Sequence, residues 1–411
     1  MLIKVRLCSR VRLECSHGKV EGEQKRDVIQ PEAEIKNTKS RFENAPTRLL
    51  IVRLSAFGDC LHAVPTLVAL RRHFPGAEIG WAIEDLGYSL LKNHPLIDRF
   101  HVFPRRAFKR KEGTFIERMR ALRTFRSELS AAKYEVAVDL QGLTKSGLVS
   151  WWSGAKHRIG FKGEDSREFN IVFSNDRVTP PAEAVHVVEK NLALLKPLGV
   201  SLPDKPEWIM PSYQAEIEAL RPFLAQCGLM NGNDKAAKFA IVNPGATWVT
   251  KRWPVESFGA VARGLIERHK LPVVVTWAGG DEQRAAEKIA SLAGKGVFVA
   301  PATDLRQLAA LTSQAVLFVG NDSGPVHLAV AMGVPSVAIF GASDPFRNGP
   351  FGSRHRILTG GVDCHPCWKT KCERPNQDRA CLTLVQPDAV LLSCKHSLDR
   401  LERSGGTAVT C

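Results

Sequence analysis

From Leu49 onward the chain alternates two kinds of apolar pattern. Short β-branched runs such as "RLLIVRL", "AEIGWAIE" and "YEVAVDL" are continuous rather than alternating, as in strands covered on both faces. Between them lie stretches with helical spacing, "DCLHAVPTLVALRRHFPG", "GYSLLKNHPLIDRF" and the basic "GTFIERMRALRTFRSELSAAK". The second half repeats the alternation. "KFAIVNPG" precedes "SFGAVARGLIERHK", "LPVVVTWAGG" precedes "DEQRAAEKIASLAG", and "AVLFVGNDSG" leads through "PVHLAVAMG" to "PSVAIFGASDP". This rhythm predicts an α/β fold of two doubly wound domains, each an open parallel sheet with helices on both faces. The chain shows no short-period repeat, which argues against a solenoid.

Composition shifts set the expected boundaries. Residues 1–46 are polar and lack the apolar core and cleavage site of a secretory signal, so they read as a poorly ordered extension. A first domain is expected over 47–205. "SLPDKPEWIMPSYQ" and "GLMNGNDKAAK" place a linker at 206–236. A second domain follows over 237–387 with a Cys-rich loop at 364–381, and 388–411 form a C-terminal helix and tail. Ligands of such sheets sit outside the carboxyl ends of strands, so the glycine-rich strand ends of both domains point at one cleft.

The 411 residues, 44% hydrophobic and 24% charged, fit a globular protein, and no apolar run is long enough to span a bilayer. A cytoplasmic location is expected. The net charge of +15 and pI near 9.5 point to anionic partners without choosing among nucleic acid, a membrane surface and phosphorylated substrates. Ten cysteines in such a protein favour free thiols or a metal over disulfides.

Three strand ends carry candidate chemistry. In "LIVRLSAFGDCLHAVPTL", residues 50–67, a glycine turn after the strand bears a carboxylate, Asp59, beside Ser55 and Gly58. Asp59 is either a base or a cap for a helix starting at Cys60. In "VGNDSGPVHLAV", Asp322, Ser323 and Gly324 form a turn, Pro325 suits a first helical turn, and His327 follows. The open N–H groups of such a helix suit a diphosphate; ordinary capping by Asp322 or Ser323 and a packed His327 are the plainer readings. Near Gly245, Lys251 is placed to neutralise charge on a departing phosphate, or is simply a solvated lysine.

"LIVRLSAFGDCLHAVPTL", "DLQGLTKSGL", "RIGF", "NPGATWVTKRWP" and "NDSGPVHLAVAMGVPSVAIFGASDP" together resemble the heptosyltransferase family of glycosyltransferases, family 9, in order from Arg48 to about Pro387. The resemblance implies two Rossmann-like domains facing a cleft, the GT-B architecture. It further implies an inverting transferase using an ADP-heptose donor and a lipid A/Kdo-type lipopolysaccharide core acceptor, with no cofactor needed for catalysis. By motif, Asp59 resembles the catalytic base and Lys251 the residue meeting the donor phosphates. Gly245, Asp322, Ser323, Gly324 and His327 resemble the donor site, and Glu282 the acidic residue near the ribose. Ser55, Gly58 and the "DLQG" loop with Asp139, Gln141 and Lys145 would line the acceptor side. Ala56 stands where family members often have a second serine, which bears on acceptor choice. The resemblance implies a monomer, cytoplasmic and peripheral at the inner membrane.

Two features fall outside this frame. Cys364, Cys367, Cys372 and Cys381 have a C-x2-C-x4-C-x8-C spacing that a structural zinc can use, equally consistent with unbonded thiols. With the positive charge, they also suggest a nucleic-acid-binding protein, though no nucleic-acid module is present. The other alternative is a related transferase with another sugar nucleotide or a protein acceptor. The basic stretch Arg105, Arg106, Lys109, Arg110, Lys111, Arg118, Arg120, Arg123 and Arg126 is expected to face an anionic membrane or acceptor.

Overall fold

A computed structural model describes residues 12–14, 44–105, 108, 114–231, 235–375 and 378–403. Their strands are, in chain order, β1 (Arg12–Glu14), β2 (Arg48–Val52), β3 (Glu78–Glu84), β4 (Arg99–Phe103), β5 (Val136–Asp139), β6 (His157–Phe161), β7 (Asp176–Val178), β8 (Ala240–Asn243), β9 (Val273–Val275), β10 (Val297–Val299), β11 (Leu317–Asn321), β12 (Ser336–Ile339) and β13 (Arg356–Leu358). They form two all-parallel sheets, β4-β3-β2-β5-β6-β7 and β1-β13-β12-β11-β8-β9-β10. Counted from its own first strand, each sheet has the 3-2-1-4-5-6 order of a dinucleotide-binding fold, with β1 added at one edge. The doubly wound expectation is met in both halves.

The central strands explain the continuous apolar runs. Leu49, Leu50, Ile51 and Val52 of β2, and Leu317, Phe318 and Val319 of β11, are fully buried because helices cover both faces of each sheet. Helix Phe57–His73 is buried almost all round, from Gly58 to Leu70, so it lacks an amphipathic stripe. It packs on helices Val187–Ala193 and Gly324–Ala331, the latter from the second sheet's half. One hydrophobic core therefore runs from Leu49 and Ile51 through Leu61 and Val326 to Phe318, joining the halves.

The stretch 206–236, expected as a linker, contains helix Gln214–Gln226. Its Leu220 and Leu224 are buried, and it packs on helix Leu305–Gln314. Arg306 fixes it, pairing with Glu216 and donating to the Ser212 carbonyl at 2.8 Å. Most of 1–46 lies outside the described residues; β1, the part with a described element, pairs Arg12 with Arg356 and Glu14 with Leu358 instead of standing free of the fold. Helix Pro387–Arg403 packs on Val255–His269. Among the described residues no helix is long and apolar enough to cross a membrane.

Candidate active site

In each sheet the strand order reverses between two neighbours, β2 and β5 in one, β8 and β11 in the other. A crevice opens outside the carboxyl ends of strands at such a point. The two crevices face each other across one cavity of about 650 Å³, within the usual size of small-molecule sites. Its wall takes Arg53, Ser55, Gly58, Asp59 and Gln141 from the first half, and Lys251, Asp322, Ser323, Gly324 and His327 from the second. Nine of the residues singled out in the sequence thus meet in one place.

Asp59 is the third residue of helix Phe57–His73, which begins earlier than Cys60. Its Oδ2 accepts from the Ala56 N–H at 3.0 Å, so it does bond back to the helix start. Its Oδ1 lies 3.0 Å from the guanidinium of buried Arg53, whose other arm donates to the Leu140 carbonyl. Burial pushes the Asp59 carboxyl up, but Arg53, the Ala56 N–H and His327 outweigh it and hold it below the usual carboxylate range. Each oxygen keeps a further lone-pair direction, and the side chain is 33% exposed on the cavity wall. Capping and proton acceptance are therefore compatible in the same carboxylate.

The "DLQG" loop divides its labour. Gln141 reaches the cavity, and its Oε1 accepts from the Leu54 N–H at 2.8 Å, holding the turn that carries Ser55. Asp139 does not reach it. It is buried and accepts from the Gln141 and Gly142 N–H groups, the Ser146 hydroxyl at 2.9 Å and the Asn170 amide at 2.6 Å. Lys145 also stays off this cavity and pairs with buried Glu84, which Arg105 joins from the other side. Asp139 is the last residue of β5 and Lys145 the second of helix Thr144–Trp152, and the sequence does not say which way a side chain at either element end turns.

On the opposite wall Lys251 Nζ lies 2.6 Å from Asp322 and 4.8 Å from the Trp248 ring centroid. Asp322 is buried and also accepts from the Ser343 hydroxyl. Asp322 thereby holds the Lys251 ammonium in place on the cavity wall. Helix Gly324–Ala331 has Ser323 at its N-cap with no side-chain cap. Pro325 carries no N–H and the Val326 N–H bonds to the Ser323 carbonyl at 3.1 Å, so the Gly324 N–H is the donor its first turn brings to the cavity wall. His327 Nδ1 meets His62 Nε2 at 3.2 Å, and burial lowers both imidazoles. Gly245 and Glu282 touch each other, for a Cβ on Gly245 would lie 2.3 Å from the Glu282 carboxylate, but neither lines the cavity.

Gly58 and Gly324 line the cavity and also permit a close approach of backbone. A Cβ on Gly58 would meet Gly324 Cα and the His327 ring at 3.2 Å, and one on Gly324 would meet the Phe57 ring at 2.0 Å. Here the two helix N-termini touch, closing one end of the cavity.

A model of glycosyltransferase family 9 (heptosyltransferase) matches residues 122–377. The chain belongs to this family. It is 29% identical over 329 residues to lipopolysaccharide heptosyltransferase 1 of Pseudomonas aeruginosa, covering 79% of this chain and 87% of that protein. Among solved structures, a family 9 glycosyltransferase from Veillonella parvula superimposes with a TM-score of 0.70 at 22% identity, over 86% of this chain and 97% of that one. Escherichia coli heptosyltransferase WaaC, with ADP-2-deoxy-2-fluoro heptose, does so with a TM-score of 0.64 at 23% identity, over 85% and 99%. These neighbours share the two-domain GT-B fold expected from the motifs.

For a family 9 transferase the wall carries further residues that the sequence did not single out: Arg53, His62, Arg167, Lys190, Trp248, Arg347 and Trp368. Six Lys or Arg side chains face four carboxylates there, a balance that suits anionic ligands. Trp368 comes from the Cys-rich loop, which the Trp368 N–H ties to the Ala342 carbonyl at 2.8 Å and the Thr250 hydroxyl to Lys369 at 2.6 Å. Its four cysteines are free thiols. They are near enough that, after burial, Cys367, Cys364 and Cys372 help push the Cys381 thiol up to about 11. Yet the described residues hold no group of three or more His, Cys, Asp or Glu disposed to bind a metal, so the zinc expectation gains no support from geometry.

Proposed function

We propose that this transferase moves heptose from ADP-heptose to the lipid A/Kdo-type core of lipopolysaccharide, inverting the anomeric centre. The carrying observation is the pairing across one cavity of Asp59, at the switch point of one sheet, with Lys251 and the open helix start at Gly324, at that of the other. The names of its relatives and the ADP-heptose analogue of the WaaC structure support the donor and acceptor. An acceptor hydroxyl between the walls loses its proton to Asp59 as its oxygen attacks the anomeric carbon. The bond to the diphosphate breaks on the opposite face, and Lys251 with the Gly324 N–H at the helix start receives the developing negative charge. Arg53 keeps Asp59 ionised and Asp322 keeps Lys251 aimed; no step calls on a metal. Arg120, Arg123 and Arg126, exposed on helix Phe115–Ala131, support peripheral contact with an anionic membrane face; Arg106, Lys109, Arg110 and Lys111 lie outside the described residues. We take the working form to be a monomer in the cytoplasm.

The test offers the purified chain ADP-heptose, GDP-sugars and UDP-sugars with a Kdo-bearing lipid acceptor, and reads products by mass spectrometry. Heptosylated lipid from ADP-heptose is expected. Transfer only from another nucleotide sugar, or only to protein, would overturn this reading.

A further inference from the structure

Beside the large cavity lies a second, of about 410 Å³, that the chemistry above leaves unused. Its walls are Phe103 at the end of β4, Phe108, Leu122 of helix Phe115–Ala131, and Leu148 and Trp152 of helix Thr144–Trp152. Phe103 stacks near Phe108 and meets Phe125 edge-on at 5.3 Å, which fixes one wall. Among the described residues its polar lining groups are Arg105, Lys145 and the Trp152 indole N–H, with no hydroxyl, amide or carboxylate. Away from these donors at its edge, the described wall is aromatic and aliphatic, suited to an apolar chain.

Three features select the occupant. Arg105 lines both cavities, and buried Glu84 on the wall of the large one holds Arg105 and Lys145 together, so the two spaces meet along one charged seam. Both cations remain more than a third exposed, leaving donors for an anionic headgroup. The same two helices present Phe115 at 73%, Ile116 at 69% and Trp151 at 51% exposure, a group of apolar side chains suited to a lipid surface.

Resting on the reading of a glycolipid acceptor above, we propose that this second cavity seats a fatty acyl chain of that acceptor. Its anionic headgroup meets Arg105 and Lys145, and its sugar extends into the cavity of Asp59. The cavity then acts as a ruler that recognises the lipid part of the substrate, separate from sugar recognition.

The test uses n-alkyl phosphates of graded length, each below its micelle threshold, titrated into the full chain by calorimetry. Affinity is expected to rise about fourfold per methylene until the cavity is full. Leu148→Trp, which fills the space from a half-buried position, should abolish this gradient while leaving ADP affinity unchanged. Leu122→Ser, which opens the wall instead, should flatten it and guards against a folding defect in the first variant. In the transfer assay, Leu148→Trp should raise KM for an acylated acceptor at least tenfold and leave that for its deacylated form unaltered. Affinity independent of chain length, a gradient insensitive to both variants, or a monomer–dimer shift in place of lipid binding would each overturn the proposal. A preserved gradient without heptose transfer would refute the proposed reaction and keep the cavity's assignment.

Discussion

At the scale of single residues, the environment of Asp59 decides what it can do. With Arg53 3.0 Å away and the Ala56 N–H on its other oxygen, it is a fixed, ionised carboxylate. Asp59→Asn retains a cap and an acceptor oxygen but cannot take a proton. We expect a lowered melting temperature, because buried Arg53 loses its counter-charge, with unchanged ADP affinity and kcat reduced by about 10²–10⁴-fold; near-normal turnover would leave Asp59 as a cap alone. Arg53→Met removes the dominant charge that opposes burial, so the Asp59 carboxyl should rise and the acid limb of kcat/KM should move to higher pH. An unmoved limb would assign it to another group. Asp59 was legible because a carboxylate on a glycine turn is chemically unusual, whereas Arg53 was not, since an arginine ending a strand reads as solvated. Its meaning appears only once Leu140 and Asp59 close around it. Lys145 and Glu282 show the same limit from the other side, as their positions depend on the turn of a loop or helix away from the cavity.

Between elements, the two helix starts that touch at Gly58 and Gly324 set the spacing of the reacting groups. Gly324→Ala must displace the Phe57 ring or the backbone, because its Cβ would lie 2.0 Å from that ring. A shift of about 1 Å between base and leaving-group site is worth on the order of 10²-fold in rate. We therefore expect Gly324→Ala to lose roughly that much kcat/KM, and Phe57→Ala in the same chain to restore most of it. No rescue in the double variant would mean that alanine harms the site directly. The two sheets were readable because their strands are covered on both faces and so appear as unbroken apolar runs. Helix Gln214–Gln226 was not, with Pro222 inside it and proline- or glycine-rich flanks on both sides. The edge strand Arg12–Glu14, three residues without an apolar run, offered no pattern at all.

Across the whole molecule, buried histidines tie stability to pH. His62, His94, His101, His186, His327 and His355 are all at most 7% exposed. Burial lowers them, His94, His101 and His186 to about 4 and His355 to about 3, so the folded protein keeps these rings neutral. The unfolded chain protonates them near pH 6.5. Below that value the unfolded state binds more protons, and stability falls with pH until the folded-state values are reached. Each such histidine contributes a slope of up to about 1.4 kcal/mol per pH unit. Four together would remove a large part of an ordinary stability of about 5–15 kcal/mol within two pH units. The net charge of +15 also disfavours the folded state on acidification, but added salt screens that repulsion and does not screen burial. We therefore expect the thermal midpoint to be flat above about pH 7 and to fall steeply between about pH 6 and 4.5, in high salt as well as low. Calorimetric unfolding near pH 5, run in two buffers of different ionisation enthalpy, should report net proton uptake. A midpoint that holds steady to pH 5, or a fall abolished by salt, would place the acid sensitivity in surface charge instead of these buried rings.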